Sequence, residues 1–446
     1  MKQPVIAVFD IGKTNKKFFL FDSQFNEVRQ EYASFPETTD DDGHPCEDLS
    51  AVVGWMRQTL ARFLAADQYD IQRLNFSTYG ASFVHLDADC QPLAPLYNYT
   101  KPFPADLAEE FYASVGGKER FCVETASPAL GMLNSGLQLY WLKKRKPEVF
   151  ARVRHSLHFP QYCSYLFGGR LASDHTSVGC HTGLWNFATG RYHDWVFREQ
   201  LHALLPPLLP AAQHSVVEMG GRPVQVGTGL HDSSAALLPY RLRRQSPFLL
   251  LSTGTWNITL NPFSTAPLTQ AELGQDCLQY LQPNGEPVKA ARLFLGNEYN
   301  HQTQVLARHF GKAPDFFRQT VFDENLLKRW AATEQRFFRW ESLQFPDGSI
   351  VSASATDLSA FDSYEAALHR LVIEMVDLQA RSLQLAAGRT DIRDVIVDGG
   401  FANSPLFVEA LRRRLPDFCV EVTPAPLGSS LGAAMACFNA SLFDAS

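Results

Sequence analysis

Asp232 is the residue whose type and surroundings most readily suit a reaction. It follows Gly227-Thr228-Gly229-Leu230-His231 and precedes four small residues, which predicts a carboxylate at the start of a helix. Held beneath a cleft, such a carboxylate can accept a proton from a substrate. The adjacent His231 is either a second base or a residue that shapes the pocket, and we favour the second interpretation.

Two polar turns follow short apolar runs. The run at 5–9 leads into Asp10-Ile11-Gly12-Lys13-Thr14-Asn15 and a strand at 17–21, and the run at 248–251 leads into Ser252-Thr253-Gly254-Thr255 and a strand at 256–260. Such turns offer N–H groups and hydroxyls to phosphate oxygens. One copy alone is weak support, because strand, glycine turn and strand are a common sequence of elements. Two copies predict two halves of similar build that present polar turns to a shared cleft.

The remaining elements should position these turns. Apolar periodicity predicts helices at 49–64 and 363–387, and residues 104–150 are predicted helical, with Lys143-Lys144-Arg145-Lys146 at a helix end. A strand at 394–398 precedes Gly399-Gly400 and a helix that begins at Ser404-Pro405, where backbone can approach a nucleotide; a simple tight turn is the alternative. A small-residue helix at 426–436 should pack over that turn. Strands at 74–78 and 83–87 flank Tyr79-Gly80, either a sugar platform or a core aromatic at a bend.

Composition sets the class of protein. The 446 residues, 45% hydrophobic and 20% charged, predict two globular domains, at 1–240 and 241–446. A net charge of −7 argues against nucleic acid and anionic membranes as partners, and no apolar run is long enough to span a membrane. The start of the chain carries no signal-peptide pattern, and eight cysteines without C-x-x-C indicate neither a zinc site nor a disulfide framework, so we expect a cytoplasmic protein. Asp40-Asp41-Asp42 could suggest a cation site, but a solvated loop is favoured.

Five motifs in order resemble the FGGY family of carbohydrate kinases, within the superfamily of actin-like ATPases, sugar kinases and Hsp70. They lie at 10–17, 229–232, 252–255, 398–403 and 430–434, across nearly the whole chain. DIGKTNKK, the TYG turn followed by FVHLD, LNSGLQLYWLK and the His-Asp pair look most similar to L-rhamnulose and L-fuculose kinases. The resemblance implies an α/β fold of two ribonuclease H-like domains, ATP and Mg²⁺ in the cleft between them, and phosphorylation of a ketose at its primary hydroxyl.

The resemblance also implies a role for individual residues. Asp232 matches the catalytic base, and Asp10 matches the acid near Mg²⁺. The positions that match ATP contacts are Gly12, Lys13, Thr14, Asn15, Lys17, Thr253, Gly254, Thr255, Gly399, Gly400 and Asn403. The positions assigned to the sugar are Tyr79, Gly80, Ala81, Ser82, Asn134, His231 and Asp232.

Several positions depart from the pattern of the family. Asp398 and Phe401 replace a glycine and a serine of the adenosine turn, which puts the nucleotide contacts there in question. Lys17 stands where an arginine is usual, keeping the charge and losing bidentate geometry. Ala81-Ser82 replaces the Val-Asp of the rhamnulose and fuculose enzymes, so the sugar preference could have moved.

The sequence therefore predicts an ATP-dependent kinase of a deoxy-ketohexose such as L-rhamnulose or L-fuculose. Another ketose or polyol, such as L-ribulose, D-xylulose or glycerol, is the alternative within the family. An actin-like ATPase switch without a sugar acceptor is an alternative of another class. Asp10, Asp232 and both phosphate loops argue against a catalytically dead sugar-binding regulator. We expect a small-molecule sugar as partner and a monomer or homodimer; the sequence decides neither the oligomeric state nor the sugar.

Overall fold

A computed structural model describes residues 2–345, 347–423 and 428–437. These residues form two compact units. The first holds the described residues up to 245 together with 279–287 and 428–437, and the second holds 246–278 and 288–423. Two segments beyond residue 245 thus belong to the first unit. A single division of the chain after residue 240 stays a prediction.

The first unit is built on one mixed sheet. Its sheet order is β11-β12-β6-β1-β2-β3, and β13 pairs with β6. The strands up to residue 245 are β1 (Gln3–Ile11), β2 (Lys16–Phe21), β3 (Glu27–Ala33), β4 (Thr38–Thr39), β5 (Pro45–Cys46), β6 (Tyr69–Thr78), β7 (Phe83–Leu86), β8 (His155–His158), β9 (Trp185–Asn186), β10 (Arg191–Tyr192), β11 (His214–Met219), β12 (Arg222–Gly227) and β13 (Leu230–His231).

Helices pack around this sheet. They are α1 (Leu49–Ala65), α2 (Ala105–Ser114), α3 (Lys118–Glu124), α4 (Ser135–Arg145), α5 (Pro147–Phe150), α6 (Phe159–Gly168), α7 (His175–Val178), α8 (Asp194–Arg198) and α9 (Asp232–Arg243), with short 3₁₀ turns at Gly131–Leu133 and Leu201–Leu204. The predicted helix at 49–64 is confirmed by α1. The predicted helical region 104–150 is confirmed as four shorter helices, because the turns around Gly116-Gly117 and Gly131 interrupt it.

The second unit repeats the plan with a six-stranded sheet in the order β16-β17-β15-β14-β18-β19. The strands of this sheet are β14 (Leu249–Thr253), β15 (Asn257–Asn261), β16 (Cys277–Leu281), β17 (Pro287–Leu293), β18 (Asp394–Gly399) and β19 (Cys419–Val422), and the residues of β16 and β17 that fall within 279–287 are counted with the first unit. The helices of the second unit are α10 (Gln270–Gly274), α11 (Leu295–His309), α12 (Glu324–Ala331), α13 (Tyr364–Ala387) and α14 (Pro405–Arg414), with 3₁₀ turns at Phe316–Arg318 and Gly400–Asn403. The chain then adds α15 (Gly428–Ala436), which belongs to the first unit.

Both sheets share one strand topology. In the first unit β1 is antiparallel to β2, β2 is antiparallel to β3, and β1 is parallel to β6. In the second, β14 is antiparallel to β15, β15 is antiparallel to β17, and β14 is parallel to β18. In each sheet three strands pair antiparallel, and the first of them also pairs in parallel with a later strand. This is the plan of a ribonuclease H-like domain. The expected α/β fold with two like-built halves is confirmed.

The longest helix illustrates how local sequence fixed these elements. Ser363 caps α13 by accepting a hydrogen bond from the amide of Ala366, and Gly388 ends it with a positive φ of 57°. Its predicted apolar side is buried, with Leu371 and Leu383 fully covered. Ser404 caps α14 with Pro405 at the first position, as predicted. Of the predicted helix at 426–436, Pro426 and Leu427 lie outside the described residues.

The loop at Asp40-Asp41-Asp42 exposes Asp41 and Asp42 to solvent, as predicted, and buries Asp40. It also carries ion pairs: Lys101 Nζ lies 2.6 Å from Asp40 and 2.5 Å from Asp42, and Lys146 Nζ lies 2.7 Å from Asp41. Asp40 and Lys101 are both buried. The two ammonium groups offset the repulsion among the three adjacent carboxylates.

Among the described residues, no helix is both long and apolar enough to cross a membrane. Their cysteines are free thiols, and most of them are buried.

Candidate active site

Three parallel strands of the first unit end side by side. In the register of the sheet, Asp10 of β1 lies opposite Ser77 of β6, and His231 of β13 lies opposite Thr78. Parallel strands present their carboxyl ends at one edge of a sheet, where ligands of α/β folds bind. Asp10, Tyr79 and Asp232, the residues at these strand ends, are therefore brought to one edge. They are three of the residues predicted for the site.

Asp10 is a buried carboxylate, and burial raises its pKa to about 6. Ser429 of α15 donates a hydrogen bond to its Oδ1 at 2.8 Å, and Lys17 faces it across the β1–β2 pair; both lower the pKa, whereas the charge of Asp232 raises it. Burial makes the charged form of this carboxylate unfavourable, and a bound cation would stabilise that charged form. Ser429 was missed in the sequence, where only the small-residue character of its helix gave a signal.

Asp232 is the first residue of α9, as predicted. Its Oδ1 accepts a hydrogen bond from the amide of Ser233 at 2.6 Å, and the amides at a helix start favour a negative charge. Its side chain is 35% exposed, so a substrate can reach it. The segment before it is fixed by Asn75, whose Oδ1 accepts from the amide of Gly229 while its Nδ2 donates to the carbonyl of Ala433 in α15.

His231 lies beside this carboxylate, with its Nε2 3.2 Å from Asp232 Oδ1. The ring is buried, and burial lowers the pKa of His231 although the charge of Asp232 raises it. Gly80 is required beside it, because a Cβ at that position would lie 2.7 Å from Cδ2 of the imidazole. A neutral ring enclosed in this way agrees with a role in shaping the pocket.

The first polar turn is organised by a residue that the sequence did not single out. Lys16 is buried, and its ammonium donates to the carbonyls of Gly12 and Lys13 and lies 2.6 Å from Glu47 Oε1. Its three N–H groups therefore all have partners. Thr14 and Asn15 stay exposed at the tip, and the predicted loop is closed by the Gly12 amide donating to Asn15 O.

Tyr79 is tied to this loop through the same carboxylate. Its hydroxyl donates to Glu47 Oε2 at 3.2 Å, and Lys13 Nζ lies 5.9 Å from its ring centre. Burial raises the pKa of Tyr79 well above its usual range. The aromatic at the strand end is thus a covered ring that packs edge-on against Tyr99, at 6.1 Å between ring centres. Burial raises the pKa of Tyr99, and the charge of Asp232 raises it further.

The other residues assigned to the sugar have partners of their own. Ala81 has a positive φ of 62°, and its carbonyl accepts from Gln138 Nε2. Ser82 is 2% exposed, and its hydroxyl lies 3.4 Å from the carbonyl of Tyr97. Asn134 accepts from the amide of Leu130 and donates to Ser127, Pro128 and His181, so it organises the surrounding loop. Direct contact of these residues with a sugar stays a prediction.

In the second unit, Thr253 joins the two turns predicted to contact ATP. Its hydroxyl donates to the carbonyl of Asp398 at 2.6 Å and accepts from the amide of Phe401 at 2.9 Å. Gly254 closes its turn by donating to the carbonyl of Trp256. Gly296 of α11, unnoticed in the sequence, has no room for a Cβ because the carbonyl of Gly254 occupies that space.

Asp398, which replaces a glycine of the family pattern, turns its side chain into the protein. It is buried, and its Oδ1 accepts from the amide of Gly399 at 2.7 Å and from the hydroxyl of Thr423 at 3.3 Å. Gly399 has a φ of 89°, and a Cβ there would collide with the carbonyl of Thr253, whereas Gly400 has open space. Asp398 therefore stabilises the turn, and Gly400 is the glycine that faces outward.

A cavity of about 490 Å³ lies against both turns. Its lining includes Thr255, Gly400 and Asn403 from the predicted set, and the aromatic residues Tyr299 and Phe317, which the sequence did not indicate. The rings of Tyr299 and Phe401 are 5.2 Å apart. This volume and these flat walls suit an adenosine group.

A larger cavity of about 630 Å³ lies elsewhere in the second unit. The four arginines in its lining are already paired. Arg336 and Arg414 both contact Asp377, at 2.6 and 2.7 Å, Arg370 contacts Glu374, and Arg413 contacts Glu409. We therefore favour the smaller cavity for the nucleotide.

Comparison with known proteins agrees with this geometry. Residues 5–238 match the model of the N-terminal domain of the FGGY family of carbohydrate kinases, and residues 245–444 match the model of the Carbohydrate kinase FGGY, C-terminal domain. The chain belongs to the FGGY family of carbohydrate kinases. The resemblance of the five motifs is thereby confirmed.

Individual relatives are distant in sequence. A rhamnulokinase from Halalkalibacterium halodurans is 24% identical over 257 residues, 56% of this chain and 52% of that protein. An L-fuculokinase from Haemophilus influenzae is 22% identical over 46% of this chain and 44% of its own length, so each match spans about half of the curated relative. The crystal structure of a carbohydrate kinase from Novosphingobium aromaticivorans is 25% identical, covers 98% of this chain and 92% of its own, and has a TM-score of 0.81.

Proposed function

We propose that this kinase transfers the terminal phosphoryl group of ATP to the primary hydroxyl of a ketose, with Asp232 as the base. The observation that carries the proposal is the side-by-side ending of β1, β6 and β13, which brings Asp10, Tyr79 and Asp232 to one edge. Phosphoryl transfer needs positioned groups and charge stabilisation more than covalent chemistry by the protein. Two carboxylates at one edge and a nucleotide-sized cavity supply these parts.

Asp232 accepts the proton of the sugar hydroxyl as its oxygen bonds to the terminal phosphorus and the bond from that phosphorus to ADP breaks. The predicted residues from 12 to 17 and from 253 to 255 contact phosphates, and Gly400 and Asn403 contact the adenosine. Mg²⁺, when bound, neutralises phosphate charge. Asp10 is the residue that fits it, because burial raises its pKa to about 6 and a cation would offset that cost.

The first test is Asp232→Asn. Losing a positioned general base lowers kcat by about 10²-fold or more, with the KM for sugar little changed. The measurement is ADP release with saturating sugar and ATP. The matched control is Asp67→Asn, which removes a fully exposed carboxylate and should keep wild-type kcat. Full activity of Asp232→Asn would refute the assignment of the base.

A deoxy-ketohexose such as L-rhamnulose or L-fuculose is the proposed acceptor. The motifs support it, and the buried neutral Ser82 sets it apart from relatives with an aspartate, because a hydroxyl makes weaker contacts than a carboxylate. We expect the highest kcat/KM with one of these two sugars among L-rhamnulose, L-fuculose, L-ribulose, D-xylulose and glycerol. Preference for any of the last three supports the second candidate, a kinase of another ketose or polyol. ADP release independent of every sugar would instead indicate an ATPase switch.

Ser82→Ala tests whether this position reads the sugar. If the hydroxyl contacts the acceptor, the ranking of kcat/KM across the panel changes in the variant. If it only supports the loop of Tyr97, all values fall together and the ranking stays, which would remove Ser82 from the proposed sugar site.

A further inference from the structure

A thiol and two imidazoles converge beside the proposed base. Cys180, His181 and His231 are buried in the first unit, and their ligand atoms lie within 4.8 Å of one another. Cys180 Sγ lies 3.2 Å from Nε2 of His231, and the same nitrogen lies 3.2 Å from Asp232 Oδ1. We call Cys180, His181 and His231 the thiol-imidazole cluster. The proposed phosphoryl transfer uses the neighbouring carboxylate of Asp232 and none of these three side chains.

The chain holds these side chains in place by fixed backbone contacts. Gly179 follows α7 where a Cβ would collide with Leu281, so the turn that carries Cys180 and His181 is pressed against its neighbour. His181 has a φ of 41°, a left-handed conformation that is uncommon outside glycine and that needs support from its surroundings. That support includes the side chain of Asn134, which donates to the carbonyl of His181 at 2.8 Å.

The ring of His181 is oriented from behind, whereas His231 is held through its backbone and its ring Nδ1 has no hydrogen-bond partner among the described residues. His181 Nδ1 lies 3.1 Å from the carbonyl of Leu133, and because a carbonyl can only accept, this nitrogen carries the proton and Nε2 carries the lone pair. Donation from the other ring nitrogen to a backbone carbonyl is the usual support of a metal-binding histidine. The amide of His231 donates to Thr176 Oγ1 at 3.0 Å, and Asp174 in turn holds that hydroxyl.

The donor set selects a class of ion. Sulfur and imidazole nitrogen suit Zn²⁺ and similar cations, whereas Mg²⁺ binds oxygen ligands. Tetrahedral Zn²⁺ sites place S and N donors about 2.0 to 2.3 Å from the metal, which brings the ligand atoms to within about 4 Å of each other. Cys180, His181 and His231 offer three ligand atoms, and the partly exposed Asp232, whose Oδ1 lies 3.2 Å from His231 Nε2, lies on the side from which an ion can enter.

We propose that the thiol-imidazole cluster and Asp232 bind a thiophilic divalent cation such as Zn²⁺, and that the bound ion inhibits phosphoryl transfer. Binding releases the thiol proton of Cys180 to solvent as the S–metal bond forms. The carboxylate of Asp232, once bound to the ion, no longer accepts the proton of a sugar hydroxyl. This second consequence rests on the proposed function, whereas binding itself does not.

Co²⁺ is the probe, because it takes the place of Zn²⁺ and its thiolate complexes absorb in the near ultraviolet. Added to the metal-free full chain, it should produce a thiolate-to-Co²⁺ band and the visible bands of tetrahedral coordination. Cys180→Ser should abolish the near-ultraviolet band. Cys419→Ser is the matched control, since it removes an exposed thiol and should leave the band intact. Absence of the band in the wild type, or its persistence in Cys180→Ser, overturns the site.

His181→Gln provides a second variant that keeps the thiol. It should weaken Zn²⁺ binding at least tenfold in competition with a chromophoric chelator, and unchanged affinity would exclude His181 as a ligand. In kinase assays with excess Mg²⁺, Zn²⁺ should inhibit the wild type and Cys419→Ser but not Cys180→Ser; equal inhibition of all three overturns the inhibitory role. If no sugar is phosphorylated while the Co²⁺ band behaves as expected, the proposed function fails and the metal site stands.

Discussion

Lys16 shows how much one buried charge can organise. Among the described residues its ammonium has only Glu47 as counter-ion and two backbone carbonyls as further acceptors, and both side chains of the pair are at most 5% exposed. Glu47 in turn accepts from Tyr79. One ion pair therefore connects the turn predicted for phosphate with the aromatic predicted for the sugar. Removing one partner of a buried pair leaves an uncompensated charge, which is the costly change.

Lys16→Met should lower the free energy of opening of the β1–β2 hairpin by about 3 to 5 kcal/mol. Glu47→Gln should do the same, and the double variant should cost less than the sum because neither charge is then left alone. Hydrogen exchange of the amides of β1 and β2 measures this. Lys13→Met is the control, since its pair with Glu37 is partly exposed and should contribute no more than about 1 kcal/mol. Equal effects of Lys13→Met and Lys16→Met would contradict the role of burial.

At the scale of elements, the two sheets show why turns after a first strand can serve as sites. Each turn is held by a contact with a distant part of the chain. Lys16 pairs with Glu47 at the first turn, and the hydroxyl of Thr253 ties the second turn to the turn after β18. The glycines at these places meet different demands. Gly399 and Gly296 are required by close backbone contacts, while Gly400 is open.

Gly399→Ala and Gly400→Ala form a matched pair of neighbouring substitutions. The first forces a Cβ against the carbonyl of Thr253 at a positive φ, so it should displace the turn and weaken ATP binding by at least tenfold. The second meets no protein atom within 4 Å, so it should leave the turn in place, and any loss of affinity in it reports contact of the added methyl group with a nucleotide in the cavity that Gly400 lines. Titration with a fluorescent ATP analogue measures both. The proposed nucleotide site would be wrong if Gly399→Ala kept wild-type affinity.

At the scale of the whole molecule, pH affects stability through histidines that remain neutral. Burial lowers the pKa of His85 to about 4 and that of His158 to about 3. The unfolded chain takes up these protons near pH 6.5, so it binds more protons than the native state below that pH, and stability falls from about pH 6.5 towards pH 4. Asp10 acts in the opposite direction, because its pKa is raised to about 6 and the native state binds its proton first.

His158→Gln isolates one of these contributions, because the amide nitrogen of glutamine can take the place of Nε2, which lies 3.2 Å from the hydroxyl of Ser135. Its cost should be largest at pH 7 and should shrink by up to about 1.4 kcal/mol for each pH unit between pH 6 and 5, the value of one proton. Urea midpoints of wild type and variant at half-unit steps measure the difference, in which other titrating groups cancel. Parallel midpoint curves would show that His158 is not buried in its neutral form.

The sequence alone determined the elements and the family. Apolar runs before Asp10 and Ser252, the cap and periodicity of α13, and Asp232 ahead of small residues are local patterns, and local patterns encode strands, helix limits and turns. They also carried the five family motifs. Only the tertiary structure decided which side chains meet. Ser429 reaches Asp10 across 419 positions, Cys180 reaches His231 across 51, and Lys16 is buried because Glu47 lies against it. Such partners follow from strand order and packing, which no stretch of sequence specifies by itself.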